Sequence, residues 1–349
     1  MRAAVWYGPR DVRIEEVPVP AAGPGRVRIK VQWCAICGSD LHEYLVGPVI
    51  IPKRRHPLTG KMPPIILGHE FAGDVVETGA GVTHINVGDR ATINACLWCH
   101  ECYWCLKGEY NLCAKLGSTG LCDDGGFAEY VSVPAYACHR LPEAITEEMG
   151  TFVEPLAVAT HACRRSRLGI GDTALVVGAG PIGLLMVQVL RSVGAREVYV
   201  VEKLERRRRL ALELGAKAVF DPSDGDAGKW VDGFTGGVRA DVAFDCVGNQ
   251  PAVETAVKAS KKGGTVVIVG IHPQSIPLDF GRMVAHEKTF IGSSAYTDEY
   301  PMALSLLAGG RVVVEPLITG RIELVDLVRK GFDVLVEQPG EHVKIIVRP

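Results

Sequence analysis

The chain has 349 residues, with 38 Lys and Arg against 40 Asp and Glu and a net charge of −2. This near balance of charges argues against a broad nucleic-acid-binding surface, because neutralising phosphates takes a concentrated excess of basic side chains. Hydrophobic residues make up 47% of the sequence, which is too many for an intrinsically disordered chain. At about 150 residues per domain, the length predicts two domains, each able to bury a core.

The sequence indicates neither a signal peptide nor a membrane span. The first seventeen residues carry six charged side chains, so they lack the apolar core of a signal peptide. The apolar stretch from Thr173 to Leu190 contains Gly178, Gly180, Pro181 and Gly183, which favours a strand, a turn and a helix over a membrane span. We therefore expect a cytoplasmic protein that is not bound to a membrane and whose cysteines are reduced.

The first part of the chain predicts β-structure. Residues Arg26–Val31 alternate polar and apolar side chains, as a strand with one face in water does. Phe71–Glu77 and Gly126–Val133 predict further strands. The connection between His42 and Gly68 holds five prolines, which predicts a long irregular loop of the kind that is often functional.

Residues 96–113, here called the cysteine lobe, have the spacing of a metal site. Successive cysteines of the set are separated by two, two and seven residues, and the set comprises Cys99, Cys102, Cys105 and Cys113. Four thiolates at such intervals can close a tetrahedral zinc site with no open position, which is a structural site. The alternative is four reduced cysteines packed as small apolar side chains. Cys96 lies just upstream and is left outside the set.

From about Leu168 the pattern changes to buried strands that alternate with helices. The predicted strands are Thr173–Val177, Val198–Val201, Ala218–Phe220, Ala240–Asp245, Thr265–Val269 and Thr289–Ile291, and the predicted helices are Pro181–Val193, Leu204–Leu214 and one near Ala252–Ala259. Six short strands with helical crossovers predict an α/β fold with a parallel, doubly wound (Rossmann) sheet. The chain ends in a predicted strand, Val343–Val347.

The two patterns predict the domain boundaries. Residues 1–155 and 296–349 are assigned to a β-rich domain that contains the cysteine lobe, because the last fifty residues return to a mixed pattern. Residues 156–295 are assigned to the α/β domain, which is inserted between them.

The first crossover of the α/β domain carries a dinucleotide-binding pattern. The sequence is Gly178-Ala179-Gly180-Pro181-Ile182-Gly183, a GxGxxG that follows a buried strand and opens a helix. In this context Gly178 permits the tight turn, Gly180 admits a pyrophosphate, and Gly183 allows close packing of helix on strand. The pyrophosphate would meet the positive end of the helix. The alternative is a glycine-rich turn without a ligand.

A carboxylate indicates which dinucleotide binds. Glu202 follows the second strand, 19 residues past Gly183, where it can accept hydrogen bonds from the adenosine ribose and would repel a 2′-phosphate. This favours NAD over NADP. Lys203 and the run Arg206–Arg209 leave NADP as an alternative, although a charged run on a helix is usually a solvated face.

Three short segments carry further candidate ligands and proton donors. The candidates are Cys37, Ser39 and His42 in CGSDLH, His69 and Glu70 in GHE, and Glu154 before Pro155, which is predicted as the first residue of a helix. Each has an ordinary explanation alone: a buried thiol, a hydrogen-bonded histidine, or a helix-terminal carboxylate. Gaps of 32 and 85 residues separate the ligands, so spacing does not unite them.

These motifs, in this order, resemble the zinc-dependent medium-chain alcohol dehydrogenases from end to end. Within that family the chain is most similar to the 2,3-butanediol dehydrogenases (acetoin reductases). That similarity is carried by the loop Tyr44–Pro64 and by Glu154-Pro155-Leu156-Ala157-Val158. The polyol (sorbitol-type) and L-threonine dehydrogenases are close relatives.

The resemblance implies a fold, two zinc ions and a reaction. The β-rich domain would be GroES-like, and Cys37 and His69 would hold a catalytic zinc with Glu154, with Glu70 as the alternative or exchanging third ligand. Ser39 and His42 would carry the proton out of the site. The substrate would be a vicinal diol or hydroxyketone, oxidised or reduced with NAD, in a homo-oligomer that is a dimer or tetramer.

Two other classes of function remain as alternatives at this stage. A nucleic-acid-binding protein that uses the cysteine lobe is disfavoured by the net charge. A relative that has lost catalysis is disfavoured because Cys37 and His69 are both present. Among enzymes, a polyol or L-threonine dehydrogenase is the principal alternative.

Overall fold

The structure is a computed structural model that describes residues 1–272 and 274–349. The strands are β1 (Arg2–Gly8), β2 (Asp11–Glu16), β3 (Arg26–Ala35), β4 (Ile65–Ile66), β5 (Glu70–Thr78), β6 (Arg90–Ile93), β7 (Cys96–Leu97), β8 (Gly117–Ser118), β9 (Tyr130–Pro134), β10 (Cys138–Arg140), β11 (Thr173–Val177), β12 (Glu197–Val201), β13 (Ala218–Phe220), β14 (Ala240–Asp245), β15 (Ser260–Ile268), β16 (Thr289–Gly292), β17 (Ile318–Glu323) and β18 (Lys344–Arg348).

The α-helices are mostly short and lie between these strands. They are α1 (Gly38–Val46), α2 (Tyr103–Leu106), α3 (Glu147–Gly150), α4 (Val153–Ser166), α5 (Pro181–Ser192), α6 (Glu205–Glu213), α7 (Ala227–Thr235), α8 (Gln250–Ala259), α9 (Phe280–Ala285), α10 (Tyr300–Ala308) and α11 (Asp333–Glu337). No helix in the described part of the chain combines the length and the apolar character that crossing a bilayer requires.

The described residues divide into two units, and the division falls inside α4. Unit 1 comprises Met1–Glu154, Tyr300–Ala308 and Leu317–Pro349, and unit 2 comprises Pro155–Glu299 and Gly309–Pro316. Residues 309–316 thus group with the α/β part, where the sequence-based boundary has them in the β-rich part. The Gln188 side chain explains the grouping, because it donates to the carbonyl of Val313 (3.0 Å) and accepts from its amide (2.8 Å).

Unit 1 is built on a seven-stranded sheet with β3 near its centre. Its strand order is β10-β6-β5-β3-β18-β17, with β9 also paired to β3. In β3 the alternating residues Val27, Ile29 and Val31 are buried. The prediction of a strand at Arg26–Val31 with one buried face is therefore confirmed. The predicted strand Gly126–Val133 is shorter than expected, since β9 begins only at Tyr130.

The proline-rich connection is more ordered than the sequence predicts. Helix α1 continues to Val46, and β4 forms at Ile65–Ile66, so regular structure occupies both ends of the predicted loop. Between them the buried carboxylate of Glu43 accepts hydrogen bonds from the amides of Val49 (2.9 Å) and Ile51 (3.1 Å). Prolines interrupt regular backbone hydrogen bonding in this segment, and a buried acceptor supplied by the preceding helix helps to order it.

Unit 2 is the doubly wound parallel sheet that the sequence predicts. Its order is β13-β12-β11-β14-β15-β16, and all five pairs of neighbouring strands are parallel. All five residues of β11 are buried, which is what a strand covered on both faces requires. The fold class is therefore confirmed.

Two helices of unit 2 are absent from the sequence-based prediction. Helix α7 contains Gly228 and Gly233, which lower helix propensity, and α9 has only six residues. An N-cap compensates in each, because Asp226 accepts from the amide of Lys229 (2.9 Å) and Asp279 accepts from that of Arg282 (2.9 Å).

Candidate metal and cofactor sites

The cysteine lobe brings its four sulfurs into one cluster. The Sγ atoms of Cys99 and Cys113 are 3.5 Å apart, those of Cys102 and Cys105 are 3.5 Å apart, and those of Cys99 and Cys105 are 3.9 Å apart. These separations are too long for disulfides, and all four cysteines are free. Zinc–sulfur bonds of about 2.3 Å place sulfurs about 3.8 Å apart in a tetrahedron. The cluster therefore fits a zinc ion without rearrangement.

Backbone amides prepare the lobe to hold thiolates. Hydrogen bonds from the amides of Ala114 and Cys105 lower the pKa of the Cys102 thiol to about 6, and the amide of Glu101 does the most to lower the pKa of Cys99. Burial raises the pKa of Cys105 to about 12. Where several thiols share one small volume, the pKa of some is lowered and that of others is raised. A cation bound among them would favour the thiolate form of all four.

A second group of candidate ligands forms where β3, α1 and β5 meet. Ala35 at the end of β3 pairs in register with Glu70 at the start of β5, and Cys37 follows Ala35 as the N-cap of α1. One ligand atom each from Cys37, His69 and Glu70 lies within 4.8 Å of the others. Strand pairing thus closes a gap of 32 residues, and a thiolate, an imidazole and a carboxylate form a donor set that suits zinc.

The electrostatics of this group favour a cation. Asp40 accepts from the backbone amide of Cys37 (2.9 Å) through Oδ2, and its Oδ1 lies 3.5 Å from His69 Nδ1. Burial disfavours the imidazolium, but the negative charges of Asp40 and Cys37 outweigh it and raise the pKa of His69 well above its usual value. A carboxylate behind a histidine orients the ring toward a metal.

The other predicted residues of this site are less closely grouped. Glu154 is buried in the first turn of α4, but it is not part of the group formed by Cys37, His69 and Glu70. Ser39 is buried, with its Oγ 3.1 Å from His69 Nε2, while His42 is half-buried on the same helix.

Helix α4 begins at Val153, so Pro155 is its third residue and the prediction that it is the first was wrong. In that position proline still removes no intrahelical hydrogen bond.

The glycine-rich turn of unit 2 has the geometry that a dinucleotide needs. Gly178 has φ +93° and follows β11 directly, and Gly180 is the N-cap of α5, whose first residues are Pro181 and Ile182. A Cβ on Gly183 would lie 1.8 Å from the carbonyl oxygen of Gly178, whereas a Cβ on Gly180 would approach only Arg207 Nη1, at 3.9 Å. Gly183 therefore closes the turn, and Gly180 leaves space in front of the helix.

Glu202 is held at the same turn by backbone amides. Its Oε2 accepts from the amide of Ala179 (2.7 Å) and its Oε1 from that of Leu204 (2.9 Å). Within the arginine run, Arg208 donates to the carbonyl oxygen of Glu202 (2.8 Å) and to Asp221 (2.6 Å). Part of that run thus has structural partners, and the carboxylate lies where a ribose is bound in such folds.

The comparisons with known proteins agree with this geometry. Residues 181–309 match the zinc-binding dehydrogenase family model, and residues 23–143 match the alcohol dehydrogenase GroES-like domain. The chain is 42% identical to the (R,R)-butanediol dehydrogenase of Bacillus subtilis over all of both chains.

Solved structures give the same result. The crystal structure of 2R,3R-butanediol dehydrogenase from Bacillus subtilis superposes with a TM-score of 0.93 at 42% identity, over 100% of this chain and 99% of that one. A zinc-binding dehydrogenase from Sinorhizobium meliloti, bound to NADP, superposes with a TM-score of 0.89 at 33% identity, over 100% and 99%.

The chain belongs to the zinc-binding alcohol dehydrogenases. The predicted family, the fold class and the assignment as an enzyme are thereby confirmed, and the nucleic-acid-binding alternative loses its basis. Two further residues lie at the candidate metal group formed by Cys37, His69 and Glu70, and the sequence did not predict them.

Those residues are Asp40 and Lys344. Lys344 is 2% exposed, and its Nζ lies 2.5 Å from Glu70 Oε2 and donates to the carbonyl oxygen of Ile36 (3.1 Å). Burial disfavours its charge, but Glu70 and Cys37, with Glu154, raise the pKa of Lys344 above its usual value. A lysine within an otherwise apolar strand was the available signal, since a buried lysine is almost always paired.

Proposed function

We propose that this dehydrogenase oxidises 2,3-butanediol to acetoin with NAD and catalyses the reverse reduction. The observation that carries the proposal is the end-to-end similarity, at 42% identity, to the (R,R)-butanediol dehydrogenase of Bacillus subtilis. We also propose that it acts as a cytoplasmic homo-oligomer, a dimer or tetramer, on small diols and hydroxyketones.

Two zinc ions per chain are part of the proposal. The cysteine lobe would hold one, and Cys37 and His69 would hold the other, with Glu154 or Glu70 as the third ligand. Bound zinc supplies a Lewis acid for the substrate oxygen, and bound NAD supplies the hydride acceptor. A closed four-sulfur site leaves no position for substrate, so catalysis belongs to the group at His69.

The remaining residues of that group would handle the proton. Oxidation of an alcohol releases a proton in a site where bulk water has little access, so side chains must carry it out. Ser39 is buried against His69, and His42 lies three residues further along α1 with part of its ring exposed. We assign the first transfer to the Ser39 hydroxyl and release to solvent to His42.

NAD is proposed in preference to NADP. Glu202 supports this choice, because a carboxylate held at the end of β12 would repel a 2′-phosphate. The Sinorhizobium meliloti neighbour carries NADP, so the preference must be measured. We expect kcat/KM with NAD to exceed that with NADP by at least about tenfold, as one misplaced charge costs roughly that much.

A substrate panel tests the proposed reaction. Steady-state rates with NAD should give the highest kcat/KM for (2R,3R)-butanediol, with sorbitol and L-threonine at least about tenfold lower, because a pocket discriminates by the polar groups it pairs. A larger value for sorbitol or L-threonine would replace the butanediol assignment with the polyol or threonine alternative.

Metal analysis tests the zinc assignment. We expect two zinc ions per chain in the wild type and one in Cys105→Ser, since one lost thiolate opens the lobe while the group at His69 stays intact. Cys96→Ser is the matched control, because Cys96 is a buried lobe cysteine outside the sulfur cluster. One zinc in the wild type, or equal loss in both variants, would contradict the assignment.

A further inference from the structure

A buried aspartate joins two loops at the carboxyl end of the unit 2 sheet. Asp245 is the last residue of β14, fully buried, and paired in register with Val177 on one side and Ile268 on the other. Its Oδ1 accepts from the amides of Val247 (3.0 Å) and Gly248 (3.1 Å). One carboxylate oxygen thereby shapes the loop at 246–249 that follows β14.

The second carboxylate oxygen holds residues 269–272, which follow β15. His272 Nε2 lies 2.9 Å from Asp245 Oδ2, and because a carboxylate only accepts, the ring donates from Nε2. The histidine side chain is 17% exposed. The carbonyl oxygen of Asp245 also accepts from the amides of Val269 (3.0 Å) and Gly270 (2.9 Å). Both loops are therefore tied to the same residue.

The two loops also touch each other and the nucleotide turn. A Cβ on Gly248 would lie 2.2 Å from the carbonyl oxygen of Ile271, and one on Gly178 would lie 2.5 Å from Val247 Cγ2. No side chain fits between these backbones, so the two loops pack directly on each other and Val247 packs on the turn that starts the GxGxxG pattern. A shift in the loops is therefore transmitted through Val247 to that turn.

We propose that the Asp245–His272 pair positions these loops for the nicotinamide half of the cofactor. The inference rests on the proposed function, since it assumes that the turn binds NAD. Glu202 lies beyond β12, on one side of β11, and the adenosine half of a dinucleotide binds on that side. Asp245 and His272 follow β14 and β15, on the other side of β11, where the nicotinamide half must lie. His272 is a positioning residue, because it acts through Asp245 and the loops.

The test compares His272→Ala with wild type in binding NADH and 5′-AMP, which lacks the nicotinamide half. Removing the imidazole leaves a buried carboxylate oxygen without its donor, so the loops relax. We expect the Kd for NADH to rise about tenfold, while the Kd for AMP changes less than twofold. The KM for NAD should rise in parallel, with kcat at saturating NAD little changed.

Two further variants make the result decisive. His272→Gln places an amide donor near the position of Nε2 and should restore most of the NADH affinity. His286→Ala removes an imidazole at the amino end of the same sheet, just before β16, and should change neither affinity. Should His272→Ala fail to fold, His272→Phe keeps a ring of similar size without the Nε2 donor and should weaken NADH binding while leaving AMP binding unchanged.

The outcomes separate this inference from the proposed function. Unchanged NADH affinity in His272→Ala, or equal losses for NADH and AMP, would overturn the positioning role and leave the reaction intact. Failure of the wild type to bind NADH would overturn the proposed function itself.

Discussion

Lys344 shows how one residue sets the charge balance at a metal group. It is a buried cation among Glu70, Cys37 and Glu154, and the three residues that follow it in its strand are apolar and buried. With Asp40, these groups place several negative charges in one largely buried region, where they repel each other unless cations compensate. The lysine supplies one of the compensating positive charges.

We predict that Lys344→Met destabilises the metal-free protein. The change leaves the Glu70 carboxylate buried without its partner, which costs about 3–5 kcal/mol. Urea unfolding after treatment with a chelator measures the loss. Lys344→Arg keeps the charge and should recover much of the stability, and equal stability of Met and Arg variants would contradict the role of charge.

At the scale of the element, the nucleotide turn separates two uses of glycine. Gly183 is required by the protein itself, because a Cβ would collide with the Gly178 carbonyl oxygen at 1.8 Å. The packing of the protein does not require Gly180, because a Cβ there meets nothing nearer than Arg207 at 3.9 Å. Under the proposed function, the same residue type would serve packing at Gly183 and the approach of a pyrophosphate at Gly180.

Two alanine substitutions test this distinction. We predict that Gly183→Ala lowers the free energy of unfolding by about 1–3 kcal/mol, as overpacking does, and weakens NADH binding with it. Gly180→Ala should leave the melting temperature within about 1 °C while raising the Kd for NADH at least tenfold, since the added methyl group occupies the space the phosphate needs. A Gly180→Ala protein that binds NADH normally would place the cofactor elsewhere.

At the scale of the whole molecule, acid sensitivity follows from buried carboxylates such as Glu299. Burial would raise its pKa, but hydrogen bonds from His161 (2.9 Å) and the Thr297 amide (2.6 Å), with the charge of Arg164, lower the pKa of Glu299 below its ordinary value. A group with a depressed folded pKa stabilises the protein above its unfolded pKa of about 4.3, and that stabilisation is lost as pH falls through the folded pKa.

We therefore predict a pH-dependent difference between wild type and Glu299→Gln. Above pH 5 the variant should melt about 3 °C or more below wild type, and the gap should close as pH falls through the depressed pKa of Glu299, where the wild-type carboxylate becomes protonated as well. Thermal unfolding from pH 3 to 7 measures the gap, and Glu254→Gln, an exposed site on α8, is the control. A gap that stays constant across this range would contradict the assignment.

Features that depend on neighbouring residues could be predicted from the sequence alone. The six strands of unit 2, the glycine turn and the four lobe cysteines follow from local rules, because periodicity and spacing fix which way side chains point over a few residues. The short helices α7 and α9 were missed because their caps, rather than their propensities, stabilise them.

Only the tertiary structure decided which side chains from distant segments come into contact. Cys37 and His69 meet because Ala35 and Glu70 pair in register, and the lysine beside them comes from β18, where Lys344 lies 308 positions after Ile36. Asp245 and His272 likewise meet because β14 and β15 are parallel neighbours whose carboxyl ends lie side by side. Local sequence determines the conformation of each segment, but contacts between segments follow from strand order and register, which depend on burying the whole chain's apolar surface at once.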